Sequence, residues 1–346
     1  MEPGSPYNRV IRLRILDLTM NRRELLILLG GIATGLPLRA TAQQPSLPTI
    51  GFLSSRSQSD STRMLTGFRN GLAEAGFTES QTVAVDFRFA EGHYDRLAPL
   101  AAELANSPIA VLAAAGGEPA ARAAIAMSAK LPVVAIFGAD PVRNGLVDSL
   151  SHPGHNFTGV SVLSTSIEPK RIGLMHDLWP QAKAFGALLN PATPTYAEQL
   201  GDIEAAAREV GIEIKPYLVK SDEDLDAAFA AAGEAQLSAM LASADPYLVF
   251  RRARIAELAT KARIPVMYPY RDFPEAGGLM SYGIDLADSY RQLAIYASRV
   301  IKGDRPNDLP IVVPTKFEFI INLKAVKALE LTIPPGILAI ADEVIE

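Results

Sequence analysis

The sequence predicts an α/β protein folded as two lobes, each around a parallel sheet. Three observations lead there. Short apolar, β-branched runs alternate with alanine-rich helical stretches along the chain, the pattern of βαβ units. That pattern is laid down twice at a nearly constant offset. The 304 residues left of 346 once the first 42 are set aside also exceed one comfortable hydrophobic core.

In the first half the predicted strands are Thr49–Ser54, Thr82–Phe89, Ile109–Ala114 and Pro132–Phe137, separated by helices Thr62–Ala75, Tyr94–Asn106 and Pro119–Ala129. The second half offers strands Ala184–Leu189, Glu213–Val219, Ala239–Ser243 and Pro265–Tyr268, with helices Tyr196–Val210, Asp222–Ala232 and Pro246–Ala262. These two sets can be superposed. Gly51 and Gly186, each early in a first strand, are 135 residues apart, as are Gly76 and Gly211, each ending a first helix. Pro119 and Pro246 open corresponding helices at an offset of 127, and Lys130-Leu131-Pro132-Val133 matches Arg263-Ile264-Pro265-Val266 at 133. Four matches in order favour two Rossmann-like lobes of like topology. Coincidence is the competing reading, because any α/β chain repeats glycine after helices and proline before strands.

Beyond Pro269 the second pattern is not simply continued. Gly277-Gly278-Leu279-Met280-Ser281-Tyr282 reads as a strand leading out, and Leu286–Ile301 as an amphipathic helix closed by Gly303. A proline-punctuated segment from Pro306 to Pro314 precedes a strand Lys316–Ile321 and a last helix near Leu323–Leu331. The tail is therefore expected to return to the first lobe and cross again, so that several crossing strands form a hinge. The expected division is 43–158 with about 284–310 as lobe one, and 159–283 with about 311–346 as lobe two.

The N-terminus reads as an export signal. Asn21-Arg22-Arg23 precedes an apolar run to Leu38 and then Ala40-Thr41-Ala42, a charged region, a short apolar region and a small-x-small cleavage site. Segment 20–42 is thus expected to be removed near Ala42, with the paired arginines suggesting the twin-arginine route. A retained membrane anchor is the alternative, although the run is short for a span. Residues 1–19 have no place in such a signal and read as an over-extended start ahead of Met20.

Composition excludes several classes. With no cysteine there is no disulfide framework, thiol nucleophile or cysteine-based metal site, and none to lipidate at the signal junction. A freely diffusing periplasmic protein is the expectation. The first 42 residues carry six arginines and three acids, so without them the formal charge moves from −5 to −8. A mildly acidic, mixed surface offers no nucleic-acid footprint.

In open parallel sheets ligands sit beyond the carboxyl ends of strands, where helix N-termini present unpaired N–H groups. The loops at those positions are small and polar. The first lobe supplies Ser54, Ser55 and Ser59, then Gly116, Gly117 and Glu118 ahead of Pro119, then Gly138 and Asp140. The second supplies Asn190, Thr195 and Tyr196, then Ser243 and Asp245 ahead of Pro246. Two such rims face to face would make a cleft with amide and hydroxyl donors on both walls, suited to a carboxylate. Asp140, Asp245 or Asp285 can receive an ammonium, and Phe137, Tyr196, Tyr247, Tyr268 and Tyr282 can stack on an apolar moiety. For each polar residue a simple helix cap is the more frequent role, and each aromatic is equally readable as core or interlobe packing.

Enzyme motifs are missing. The four histidines are His93, His152, His155 and His176, and Pro153-Gly154 between the middle two denies them a helical metal-binding spacing. Gly116-Gly117 lacks the Gly-Lys-Ser/Thr of a phosphate-binding loop, no G-x-G-x-x-G follows the first strand, and no G-x-S-x-G elbow is present.

Several segments resemble a known family. They are Thr49-Ile50-Gly51-Phe52-Leu53, Asp140-Pro141-Val142 with Gly145-Leu146-Val147, and Pro153-Gly154-His155-Asn156-Phe157-Thr158-Gly159. To these are added Glu275 to Gly283, Pro314-Thr315-Lys316-Phe317-Glu318 and Ile321-Asn322-Leu323-Lys324. From Thr49 to Glu346 the chain is similar to ABC-transporter substrate-binding proteins, the family that includes tryptophan- and tyrosine-uptake binding proteins, within the type I periplasmic-binding-protein fold. The resemblance implies two lobes joined by a three-strand hinge, with crossings near Phe157–Ser161, Leu279–Asp285 and Pro310–Phe317. It also implies closure over a ligand, expected here to be small and amino-acid-like, with no catalysis and no obligatory cofactor. The implied partner is a permease and ATPase complex at the inner membrane, met by a monomer. Two departures stand out: Gly116-Gly117-Glu118 lacks the family's frequent Ser, Thr or Asn, and His155 replaces a frequent glycine. Glu118 can repel a carboxylate, and an aromatic or branched carboxylic acid stands as a competing ligand. A sensing module for a membrane receptor or kinase is the alternative use of the same fold, and an α/β enzyme is less favoured.

Overall fold

The computed structural model describes residues 47–128, 130–162 and 167–346, and the expectations placed on 1–19 and on the export segment 20–42 lie outside them. One sheet holds β1 (Thr49–Ser54), β2 (Ala84–Phe89), β3 (Val111–Ala115), β4 (Val133–Phe137) and β5 (Phe157–Ser161), parallel throughout in the order β2-β1-β3-β4-β5. Helices α1 (Thr62–Glu74), α2 (Leu97–Ala105) and α3 (Glu118–Met127) connect its first four strands. α4 (Glu168–Leu178) leads to a second sheet. There β6 (Ala184–Leu189), β7 (Glu213–Leu218), β8 (Met240–Ala242), β9 (Val266–Tyr268) and β10 (Met280–Ile284) run parallel. The connecting helices are α5 (Tyr196–Glu209), α6 (Asp222–Glu234), α7 (Pro246–Phe250), α8 (Arg252–Ala262) and α9 (Asp272–Glu275).

The second sheet follows the order β7-β6-β8-β9-β10 and then adds β11 (Phe317–Asn322), antiparallel to β10, and β12 (Glu343–Ile345). Its first five strands repeat the order of the first sheet. The duplication read from glycine and proline spacings is thus visible in the topology. Gly76 and Gly211 close α1 and α5 at φ of 83° and 73°, a left-handed turn that costs glycine least.

Helices cover both faces of each sheet, so interior strands have no polar side. Ile50 and Phe52 enter one core and Leu53 another, while Phe185, Ala187 and Leu189 enter a third and Leu188 and Met240 a fourth. Edge strand β7 is half exposed and alternates accordingly.

The chain passes between the sheets three times: after β5, after β10 into α10 (Leu286–Ile301), and again before β11. α10 lies against α1, β3, β4 and β5. The approach to α1 is close because Gly67 and Gly71 face the main chain of α10, and a Cβ at Gly67 would stand 2.2 Å from the Ala287 carbonyl oxygen. The third crossing runs beside β5, where Val312 N–H donates to the Gly159 carbonyl at 2.9 Å and Ser161 N–H to the Val312 carbonyl at 2.8 Å. Arg171, fully buried with Glu168 at 2.7 Å, donates through Nε to the Tyr282 carbonyl at 2.8 Å and so ties α4 to the second crossing.

One expectation is corrected, and two elements were missed by the residue pattern. Pro246–Ala262 is two helices, since Arg251 (φ −94°, ψ 10°) ends α7 and starts α8. α4 was not legible because Gly173 and Pro169 weaken its helical pattern. The residue pattern also missed β5, because Gly159 interrupts it, and a Cβ there would stand 1.8 Å from the Ala135 carbonyl oxygen of β4. The tail adds α11 (Leu323–Ala328) and α12 (Pro335–Ala339). Among the described residues no helix is long and apolar enough to cross a membrane.

Gly67→Ala is expected to lower the unfolding free energy by about 1–3 kcal/mol, because a backbone neighbour must move. Gly173→Ala, with nothing within 4 Å of its added Cβ, is expected to raise it by about 0.4–1 kcal/mol. Urea unfolding of the two variants checks the pair.

Candidate functional site

Parallel strands bring every strand-to-helix loop to one edge of its sheet. In the first lobe that edge carries the loop after β1 with Arg56, the turn Gly116-Gly117 ahead of α3, and Gly138 after β4. In the second it carries Asn190 to Thr195 ahead of α5, and Ser243 to Asp245 ahead of α7. The two edges face each other across a cavity with about 540 Å³ of unfilled space, mouth included. Its first-lobe wall is Arg56, Gly116, Gly117, Glu118, Pro119 and Gly138, and its second-lobe wall is Thr193, Thr195, Ala244, Asp245 and Pro246. Ile136, Val162, Val249, Tyr270, Leu286 and Tyr290 complete it with apolar and aromatic surface.

Three buried charges lie in this wall. Glu118 opens α3, meets Arg122 at 2.8 Å and accepts the Gly138 N–H at 3.2 Å, which braces the loops after β3 and β4. Burial, the largest influence, pushes its carboxyl up, against the pull of Arg122. Arg56 pairs with Asp272 and donates to the Asp60 carbonyl at 3.0 Å. Burial opposes the Arg56 charge, but Asp272 with Tyr290 and Asp60 outweighs it, and the guanidinium is held above its ordinary value. Asp245 is 1% exposed. Its Oδ1 accepts the N–H groups of Tyr247 at 3.0 Å and Leu248 at 3.2 Å and the Asn190 side-chain amide at 3.1 Å, while Oδ2 accepts the Tyr94 hydroxyl at 2.6 Å. Here too burial dominates and pushes the carboxyl up, with Tyr94 and Asn190 pulling it down.

Side-chain contacts link the two lobes. Tyr94 of the first lobe reaches the cap of α7, Asp60 meets Arg252 at 2.6 Å, and Arg143 spans both oxygens of Asp202 at 3.0 Å. Arg56–Asp272 is a fourth link.

Of the residues singled out from the sequence, Gly116, Gly117, Glu118, Gly138, Thr195 and Asp245 meet in the wall. Ser54, Ser55, Asn190 and Ser243 lie one layer behind. The Ser54 hydroxyl accepts the Arg56 N–H at 3.1 Å, and Asn190 orients Asp245. Ser59 belongs to a separate depression with Asp60, Arg63 and Arg252. Asp140 caps its own turn by accepting the Val142 N–H at 2.9 Å. Phe137 and Tyr268 are core residues, beside Phe157 and stacked on Phe273, because the last residue of a covered strand points into a helix layer rather than over the strand end. Tyr282 stacks on Phe317 in the crossing strands, Tyr196 is half-buried against the second-lobe core, and Tyr247 reaches outward to Asp222. Asp285 caps α10 and pairs with Arg63 at 2.6 Å and Lys316 at 3.1 Å. Missed from sequence were Arg56, Thr193, Tyr270 and Tyr290. The first two lie inside loops already singled out, whereas Tyr290 arrives only because α10 folds back onto the first lobe.

Residues 52–345 match the family described as ABC transporter substrate binding protein. The chain belongs to that family. These are substrate-binding proteins and not enzymes. A "Tyrosine-binding protein" of Clostridioides difficile (strain R20291) is 24% identical over 265 residues, covering 77% of this chain and 76% of its own. A solved ABC domain in complex with L-Trp from Streptococcus pneumoniae is 26% identical with a TM-score of 0.79, covering 87% of this chain and 100% of its own. The ligand-free, open structure of a substrate binding protein with adhesive properties from Clostridium difficile shares the fold, at 21% identity and a TM-score of 0.63, over 87% of this chain and 99% of that one.

Because the folded Glu118 carboxyl titrates above its ordinary 4.5, the folded state takes up its proton first as pH falls. Its burial penalty is then complete above the raised value and gone below 4.5. Glu118→Gln cannot follow this relief, so the variant should lose stability relative to the parent as pH drops from 7 toward 4.5. Urea unfolding across that range checks the sign.

Proposed function

We propose that this chain is the exported solute receptor of an ABC importer, closing its two lobes over a small amino-acid-like molecule or an aromatic or branched carboxylate. The observation that carries the reading is the cavity itself. Its wall is assembled from strand-end loops of both lobes, so neither lobe alone offers a site. Closure brings hydroxyls, helix-start amides and apolar surface onto one guest, and a solute that contacts both lobes shifts the open–closed balance toward the closed form. The likeness to proteins described as tyrosine-binding and as complexed with L-Trp supports an amino acid with a sizeable side chain.

In this reading the protein works as a periplasmic monomer, its signal 20–42 removed near Ala42, and the permease and ATPase complex at the inner membrane reads its closed face. Lobe one is 43–158 with about 284–310, supported by the packing of α10 on the first sheet, with β5 carrying that sheet on to Ser161. Lobe two is 159–283 with about 311–346, supported by the place of β11 and β12 in the second sheet.

Purified protein should bind one solute per chain from a panel of amino acids and aromatic or branched carboxylates. A ligand at 100 times its Kd should stabilise it by about 2.7 kcal/mol. Isothermal titration after a thermal-shift screen checks this, and a panel in which no solute gives saturable binding contradicts it.

A further inference from the structure

One carboxylate oxygen of the cavity wall lacks a hydrogen bond. Glu118 is 2% exposed and lines the cavity where it opens α3. Its Oε2 accepts the Gly138 N–H at 3.2 Å. Oε1 stands 2.8 Å from Arg122 Nε, yet among the described residues no donor is aligned on it. The arginine therefore balances the charge and leaves the acceptor open. Both oxygens of Asp245, by contrast, already accept donors. A buried acceptor left without a donor is costly, and a guest that supplies one relieves that cost.

The surroundings of that acceptor decide what can meet it. Gly116, Gly117 and Gly138 flank Glu118 in the wall and bring no side chain, and a Cβ at Gly138 would stand 3.0 Å from the Glu118 nitrogen. The glycines leave bare main-chain surface beside the carboxylate, on which a flat group can lie. Ile136, Val249 and Tyr290 add apolar and aromatic wall. A carboxylate on the guest is repelled by Glu118. An ammonium meets Arg122, already in place as the counter-ion, and gains little. A neutral N–H or O–H suffers neither penalty and fills the open position.

We propose that the solute carries a neutral N–H or O–H donor on its side chain, of the indole, phenol or carboxamide kind, and that Glu118 accepts it and sets the preference for it. The inference rests on the receptor reading, which places a solute in this cavity, and narrows it to side chains with a donor. A purely hydrocarbon side chain leaves Glu118 unanswered in the closed cavity and binds less well. The same carboxylate braces the loops after β3 and β4 through Gly138, so the acceptor is held in place before a solute arrives.

The test is isothermal titration of the purified protein at pH 7 with matched pairs. L-tyrosine is compared with L-phenylalanine, L-tryptophan with its sulfur isostere benzothienyl-L-alanine, and L-glutamine with L-methionine, the second of each pair lacking the donor. In whichever pair binds, the donor-bearing member should be tighter by about tenfold or more. Glu118→Gln keeps the shape and loses the charge, and should shrink that ratio to about threefold or less. A merely structural disturbance would weaken both members together and leave the ratio unchanged. Should the variant not fold, the ratios of the parent protein decide alone. Equal or tighter binding of the donor-free member by the parent, or a ratio that survives in Glu118→Gln, overturns the inference while the receptor reading stands. Any other solute found in a wider panel is judged against its own donor-free analogue, and one that binds with no neutral side-chain donor overturns the inference too. If neither these compounds nor the wider panel binds saturably, the receptor reading falls and takes the inference with it.

Discussion

A parallel strand cannot turn straight back into its neighbour; it must be followed by a crossover, and every strand-to-helix loop therefore falls on the same edge of the sheet. The rest of the molecule follows from that constraint being met twice. Each half of the chain builds five parallel strands in the same order, and three passages between the sheets set one loop edge against the other. The site is consequently not carved into a core. It is an apposition of two rims, each holding part of the groups that a guest would touch.

The links between the rims differ in kind. Arg143–Asp202 is largely exposed on the arginine side, and pairs of that sort contribute roughly 0–1 kcal/mol. Tyr94 to Asp245 is buried beside the cavity, where a hydrogen bond to a charged group is worth more. Between the lobes, the crossings are pinned to rigid elements: α10 by the close approach of Gly67 and Gly71, the third crossing by its hydrogen bonds to β5, and the second by Arg171. In the proposed receptor reading, such an arrangement would confine motion to the passages, with rim contacts and a solute together setting the balance between open and closed.

Much of this was legible in the sequence. Strands β1 and β6 and helix α10 fall on the residues their patterns indicate, because a covered strand is a short apolar run and α10 is amphipathic along its whole length. Glycine and proline spacings revealed the duplication because they mark helix ends and starts, which recur wherever the topology recurs. The strand-end rule located the loops of the site, and within them Gly116, Glu118, Thr195 and Asp245. It failed at Phe137 and Tyr268, since the rule names a strand's end but not the face its last side chain takes. Tyr290 was out of reach for another reason: its place in the wall depends on a helix from the far end of the chain packing beneath β3 to β5. The setting of Asp245 was equally invisible, because it exists only once Asn190, Tyr94 and the start of α7 surround the carboxylate.

Closure over a solute is the claim on which the account stands, and a distance between the lobes tests it most directly. The chain contains no cysteine, so Asp95→Cys in the first lobe and Glu223→Cys in the second, both exposed, accept a clean pair of spin labels. Double electron–electron resonance should show the distance distribution shift to shorter values when a saturating solute is added. An identical distribution with and without a solute that binds saturably would contradict the account.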